Sequence, residues 1–293
     1  MTEDDHHVSV TFDPEAPPER RHHHEPLSQR AAHPVAISVE AVSKVFETSG
    51  RTRTAALEDV SFAIRVGEFV SLIGPSGCGK STILRLVSGL LEPTAGQITV
   101  QGLAPVEARR QRRFGIVFQS PVLFDWRTVE QNVALPLEVM HEPKARAAER
   151  VDGLLELVGL SSFRRHYPWQ LSGGMQQRVA IARALTYAPP FLLMDEPFGA
   201  LDMITRDLMA TELLRIWANT AGTTVLFITH SIPEAVLLSD RVVVMITRPG
   251  RIMTTVDIEL PRPRTEAVRE SQAFFGYDTE LRRLLMEAER RRA

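Results

Sequence analysis

Apolar residues are spaced in two distinct ways along this 293-residue chain. From Val35, the residues Ile37, Val39 and Val42 alternate with polar positions as in a half-buried strand that reaches Val45-Phe46. Glu47 to Ala55 reads as a polar turn region, after which Val60, Phe62, Ile64 and Val66 alternate again. Glu68 to Ile73, Phe114 to Phe118 and Phe191 to Asp195 are continuous apolar runs, as strands buried on both faces require. Gln97 to Val100, Thr224 to Thr229, Val242 to Ile246 and Ile252 to Val256 read as further strands, the last two around an Arg248-Pro249-Gly250 turn.

Helical spacing appears between these runs. Ile83, Leu84, Leu86, Val87 and Leu90 share one face, with Gly89 near the stop, and Val151, Leu154, Leu155 and Val158 share another within Lys144 to Val158. Pro121 to Met140 is irregular and partly helical. Helices are predicted from Met175 to about Tyr187, from Met203 to Ala218, around Val236 to Leu238, and over a tail with Leu281, Leu284, Leu285 and Ala288 on one face. Strands alternating with helices predict an α/β fold with a mainly parallel core sheet, and the first two alternating strands predict a small antiparallel β layer.

Candidate chemistry gathers where apolar strands end. The run Glu68 to Ile73 leads into Gly74-Pro75-Ser76-Gly77-Cys78-Gly79-Lys80-Ser81-Thr82, which fits the phosphate-binding pattern between a strand and a helix. Its glycines let backbone N–H groups turn inward, and the helix N-terminus adds positive dipole for an anion. Lys80 can reach the terminal phosphates of a nucleoside triphosphate, and the Ser81 hydroxyl can ligate the accompanying magnesium ion. Asp195 ends the next apolar strand and is placed to hold that metal, while Glu196, one residue on, can orient or deprotonate water. His230 and Gln119 also end strands. His230 can donate to a γ-phosphate, although a capping histidine fits the residue equally well by itself; the Gln119 amide can ligate magnesium or hold water. Leu171-Ser172-Gly173-Gly174-Met175-Gln176-Gln177-Arg178 opens a second anion-ready helix with Ser172 as N-cap.

Bulk properties narrow the setting. A formal net charge of −2 lacks the basic footprint of a nucleic-acid binder, so none is expected as a partner. A single cysteine, Cys78, excludes an intrachain disulfide and fits a reducing compartment. No run of 18 or more apolar residues occurs. Residues 1–34, broken by prolines and rich in histidine, read as a disordered arm without the apolar core of a secretory signal.

From about residue 37 to 260 the chain resembles an ATP-binding cassette (ABC) transporter ATPase. The resemblance rests on the phosphate loop, Gln119, the Leu171 to Arg178 signature, Phe191 to Pro197, Gly199-Ala200-Leu201-Asp202 and His230. It implies residues 35–260 as the cassette, with a helical subdomain at about 120–185 carrying the signature, and 261–293 as a helical tail. It implies two copies of the chain paired head to tail around two ATP molecules. Ser172, Gly173 and Gly174 would face the partner's γ-phosphate, Asp202 would lie at the same interface, and Phe46 would stack on adenine. Glu196 matches the catalytic glutamate, His230 the switch histidine, and Ser81, Gln119 and Asp195 the magnesium ligands. Within the family, Val117 to Val129, Leu201 to Arg206 and Arg248 to Ile252 resemble bacterial importers of the nitrate, sulfonate and taurine type. The short stretch after the last strand leaves no room for the regulatory β-domain of sugar-importer cassettes. That type implies separate membrane permease subunits docking at about 119–140, with Trp126 and Arg127 as contacts. It also implies a solute-binding protein engaged indirectly, and a peripheral position on the cytoplasmic face of the inner membrane. A soluble cassette ATPase acting on ribosomes or DNA, and an exporter ATPase, are the alternative expectations.

Overall fold

The computed structural model describes residues 33–48, 52–199, 201–220 and 222–291; the arm before His33, and Ala200, lie outside them. The alternating N-terminal segments form β1 (Val35–Thr48) and β2 (Thr52–Arg65), paired antiparallel. These strands run further than their apolar alternation. Most of the expected turn region from Glu47 to Ala55 belongs to the hairpin, because Phe46 pairs with Thr54 and Glu47 with Arg53, the latter also through an ion pair at 3.0 Å. The residues just before β1 join the layer too: His33 O accepts from Arg65 Nη1 at 2.8 Å and Pro34 O from Val66 N at 3.0 Å.

After β3 (Phe69–Ile73), β4 (Ala95–Val100) adds to the free edge of β1, giving the three-stranded order β2-β1-β4. The main sheet comprises β3, β5 (Phe114–Val117), β6 (Phe191–Asp195), β7 (Thr224–Ile228), β8 (Arg241–Ile246) and β9 (Arg251–Asp257). Its order is β5-β6-β7-β3-β8-β9; the first five strands run parallel and β9 returns antiparallel to β8. Along β6, Leu192 and Met194 enter one core cluster while Phe191 and Leu193 enter the other, and β7 and β8 alternate in the same way. Burial on both faces is why these strands are apolar throughout.

Helix α1 (Lys80–Val87) follows β3, and α2 (Pro105–Arg110) precedes β5. The latter is absent from the sequence expectation because six residues are too few to display a helical period. Between β5 and β6 the chain forms α3 (Val129–Val139), α4 (Lys144–Leu157) and α5 (Gly173–Leu185), in which α3 and α4 both pack on α5. Thr128 and Gln131 close a capping box at the start of α3. Next come α6 (Met203–Ala218), α7 (Ile232–Leu238), α8 (Glu266–Arg269) and α9 (Gln272–Arg290).

Trp217 of α6 is buried edge-on against Phe69, donates its indole N–H to Thr223 O at 2.8 Å, and carries the Arg262 guanidinium 4.4 Å from its ring centroid. The expected tail helix is α9. It buries Phe274, Leu281, Leu284 and Ala288 against α7 and β8. Two arginines just ahead of it are interior: Arg262 pairs with Asp240 at 2.8 Å, and Arg264 donates to the carbonyls of Val236, Leu237, Ser239 and Ile258. Among the described residues no helix is long and apolar enough to cross a membrane.

Candidate active site

The carboxyl ends of β3, β6 and β7, neighbours in a parallel sheet, hold the first group of site residues, the position where ligands collect in open α/β sheets. The loop from β3 to α1 is compressed. A side chain at Gly74 would lie 2.7 Å from Met245 O and 2.8 Å from Cys78 Sγ, and Gly79 caps α1 at a φ of +94°. Lys80 folds back over this loop, its ammonium donating to Gly74 O at 2.8 Å and Pro75 O at 3.2 Å. Burial pushes the Cys78 thiol up, against the opposing pull of Lys80, so it stays a neutral packing group.

Ser81, in the first turn of α1, donates its hydroxyl to Asp195 Oδ1 at 2.9 Å. Burial holds the Asp195 carboxyl above its ordinary range; the Ser81 bond opposes this, and the neighbouring Glu196 charge adds to it. Glu196 leaves β6 in a left-handed conformation, φ +44°, with its N–H on Ile228 O at 2.9 Å. Its Oε2 lies 3.1 Å from His230 Nδ1, from the turn after β7. Two contacts, Ser81 with Asp195 and Glu196 with His230, are thus joined through the adjacent residues Asp195 and Glu196, and Lys80 precedes Ser81, so the five residues gather across three adjacent strand ends.

A second group sits elsewhere. Ser172 caps α5, its Oγ accepting from Met175 N at 3.3 Å, and nothing lies within 4 Å of where a Gly173 side chain would begin. Gly174 packs on the start of α6, where an added methyl would meet Leu201 and Thr205 at 3.2 and 3.3 Å. Asp202 caps α6 through a bond from Thr205 N to Oδ1 at 3.0 Å, and that bond holds its carboxyl below the ordinary range. Among the described residues no hydrogen bond joins Ser172, Gly173, Gly174 or Asp202 to the phosphate loop. Phe46 is partly exposed near the end of β1, with Lys44 Nζ 5.4 Å from its ring centroid.

Gln119 is exposed, and the chain on either side of it is held from α5. Gln177 Nε2 donates to Phe118 O at 3.3 Å, and Arg183 donates to Pro121 O and Val122 O, both at 2.8 Å. Asn132, fully buried in α3, binds both backbone groups of Phe124 and the carbonyls of Arg127 and Thr128. That shapes the loop on which Trp126 stands 73% exposed. Sequence reasoning missed Arg183 and Asn132. The available signal was a polar residue on an otherwise buried helix face.

A family model described as ABC transporter matches residues 57–199. An uncharacterised ABC transporter ATP-binding protein of Methanocaldococcus jannaschii is 46% identical over 251 residues, which is 86% of this chain and 91% of the relative. The chain belongs to the ABC transporter ATP-binding family. A taurine import ATP-binding protein of Roseobacter denitrificans is 45% identical, over 74% of this chain and 80% of its own. An aliphatic sulfonates import ATP-binding protein of Bacillus cereus is 42% identical, over 80% and 91%. Among solved structures, a dimeric post-hydrolysis state of an ATP-binding cassette bound to ADP and Pi superposes with a TM-score of 0.69. It is 34% identical, covering 76% of this chain and 98% of that one. The chain is thus an ABC-type ATP hydrolase with import-type relatives, and the α/β cassette expected from its sequence is the fold it has.

Proposed function

We propose that the chain is the ATPase subunit of an importer for small anionic or sulfonated solutes, of the nitrate, sulfonate and taurine type, and that it hydrolyses ATP only when two copies close head to tail. One observation carries this reading. Lys80, Ser81, Asp195, Glu196 and His230 are assembled at one sheet end, whereas among the described residues no hydrogen bond joins the helix start at Ser172, Gly173 and Gly174 to any of them. A second copy supplies the natural use for that helix start, as a lid over the partner's γ-phosphate.

The metal choice follows from the donor set. Ser81 and Asp195 offer two hard oxygen donors 2.9 Å apart, Gln119 can add a third, and no cluster of three or more His, Cys, Asp or Glu occurs among the described residues. Magnesium, which keeps waters and phosphate oxygens in its shell, suits such a site better than calcium or zinc. When bound, it would neutralise charge on the β- and γ-phosphate oxygens.

Lys80 binds the same phosphates from the loop side. Glu196 accepts a proton from water attacking the γ-phosphorus. The bond to the bridging oxygen breaks, that oxygen keeps the electron pair, and ADP and inorganic phosphate result. His230 orients Glu196 and donates to the γ-phosphate, and Phe46 stacks on the adenine. The segment from Gln119 to Met140, a loop shaped by Asn132 and presenting Trp126 and Arg127 followed by α3, receives the permease subunits at the cytoplasmic face of the membrane; the solute-binding protein acts through them. Glu196→Gln is expected to leave ATP binding within about twofold and lower turnover on the order of 10²–10³-fold. The same variant should run as a dimer in ATP and as a monomer without it, by light scattering after gel filtration. A monomer in saturating ATP would refute the paired-cassette reading.

A further inference from the structure

Glu234 is a buried carboxylate for which the hydrolytic steps above have no use. It is 5% exposed and touches both residues that flank His230. Its Oε2 accepts from Thr229 Oγ1 at 2.5 Å, its backbone N–H reaches Ser231 Oγ at 3.5 Å, and Ser231 N donates to Thr229 Oγ1 at 2.9 Å. On its other side, Glu234 Oε1 lies 3.4 Å from Arg206 Nε on α6. Arg206 in turn donates through Nη2 to Leu201 O at 3.2 Å and through its backbone N–H to Asp202 O at 2.9 Å. A continuous path therefore runs from the turn at Leu201-Asp202, through Arg206 and Glu234, to the turn that carries His230, and from His230 to Glu196.

We propose that Arg206 and Glu234 are positioning residues that transmit contact at the Asp202 turn to the His230–Glu196 pair, so that a docked partner sets the geometry of hydrolysis in this chain. The inference rests on the paired-cassette reading, because Asp202 needs a partner to report. Three features support it. Removing Glu234 from water disfavours its charge, and the Thr229 bond and the Arg206 charge are the main groups offsetting that cost. Arg206 Nε is buried and makes no aligned hydrogen bond in this state, so the link to Glu234 is held by charge at a distance that a small shift of α6 would tighten. The neighbouring Asp207 is fixed from the other side by Arg269 of α8 at 2.6 Å, so the first turn of α6 is braced rather than loose. A braced turn passes displacement on instead of absorbing it.

The test compares Glu234→Gln, which keeps the shape but removes the charge facing Arg206, with Arg206→Lys, which keeps the charge but cannot span Glu234 and Leu201 O together. Steady-state ATP hydrolysis of the purified full chain should show kcat lowered about tenfold in each, with KM for ATP within about twofold and the Hill coefficient falling toward one. The double variant should be no worse than the more damaged single, because both break one link. Unchanged kcat, additive losses, or a fall in kcat matched by loss of ATP affinity and thermal stability would overturn the proposal. If Glu234→Gln does not yield folded protein, Arg206→Lys decides by the same split. Placing Glu234→Gln on Glu196→Gln separates the two readings: the ATP-dependent dimer should persist in both. A dimer that persists while Glu234→Gln alone turns over at the wild-type rate removes the link only. A Glu196→Gln protein that stays monomeric in ATP removes the paired reading, and the link with it.

Discussion

Glu196 leaves β6 with a φ of +44°, a conformation that non-glycine residues adopt at a cost on the order of 1–3 kcal/mol. Its backbone bond to Ile228 and the return bond from Gly199 N at 3.1 Å keep it there, which turns its carboxylate toward His230. Residues outside the site, such as Ala41 and Gln101, share a positive φ, so what sets Glu196 apart is the contact of its carboxylate with His230. Tyr187 shows the opposite situation, a titratable group kept neutral. Its hydroxyl donates to Phe114 O at the start of β5, and burial pushes it up to about 12. An unfolded tyrosine ionises near pH 10, so the stabilisation is complete below that pH and is lost as pH rises from about 10 to about 12, on the order of 3 kcal/mol in all. Tyr187→Phe should flatten the decline in unfolding free energy over that window, measured by urea denaturation. An unchanged alkaline decline would show that another group governs it.

At the scale of elements, α5 is the connecting piece. Its N-terminus carries Ser172, Gly173 and Gly174; its middle holds Phe118 through Gln177; and its last turn holds Pro121 and Val122 through Arg183. Burial pulls the Arg183 guanidinium below its ordinary range, and no ion pair with it occurs among the described residues, so the two carbonyls are what stabilise it. Arg183→Met should lower the unfolding free energy by about 2 kcal/mol, the scale of hydrogen bonds to a charged group. It should also raise the magnesium concentration needed for half-maximal hydrolysis by freeing the chain around Gln119; an unchanged magnesium requirement would disconnect α5 from that loop. The helix itself was visible in the sequence as a serine cap and two glycines. Its grip on the Gln119 loop was not, because a hydrogen bond between residues some 60 positions apart leaves no periodic trace. The same holds for the pairing of Arg206 with Glu234, which joins α6 to α7 and leaves no periodic trace. Nor could apolar alternation define the hairpin between β1 and β2, since its distal pairs are polar on both strands.

For the molecule as a whole, the strands buried on both faces were legible because continuous apolar runs leave little choice, and their polar terminal residues marked the site. The tail was legible as an amphipathic helix. The segment that leads into it is held by Arg262 and Arg264, whose buried roles composition alone would misassign to the surface. Under the proposed function, Lys80, Ser81, Asp195, Glu196 and His230 form one half of a site, and the helix start at Ser172, Gly173 and Gly174 of a second copy forms the other half. Lys80→Ala and Ser172→Arg, each purified alone, should hydrolyse ATP at background rates. Random pairing in an equimolar mixture gives mixed dimers with one complete site, because the intact phosphate loop of one chain meets the intact signature of the other. The mixture should therefore recover up to roughly a quarter of the wild-type rate. A mixture no more active than its two components would contradict a site shared between chains.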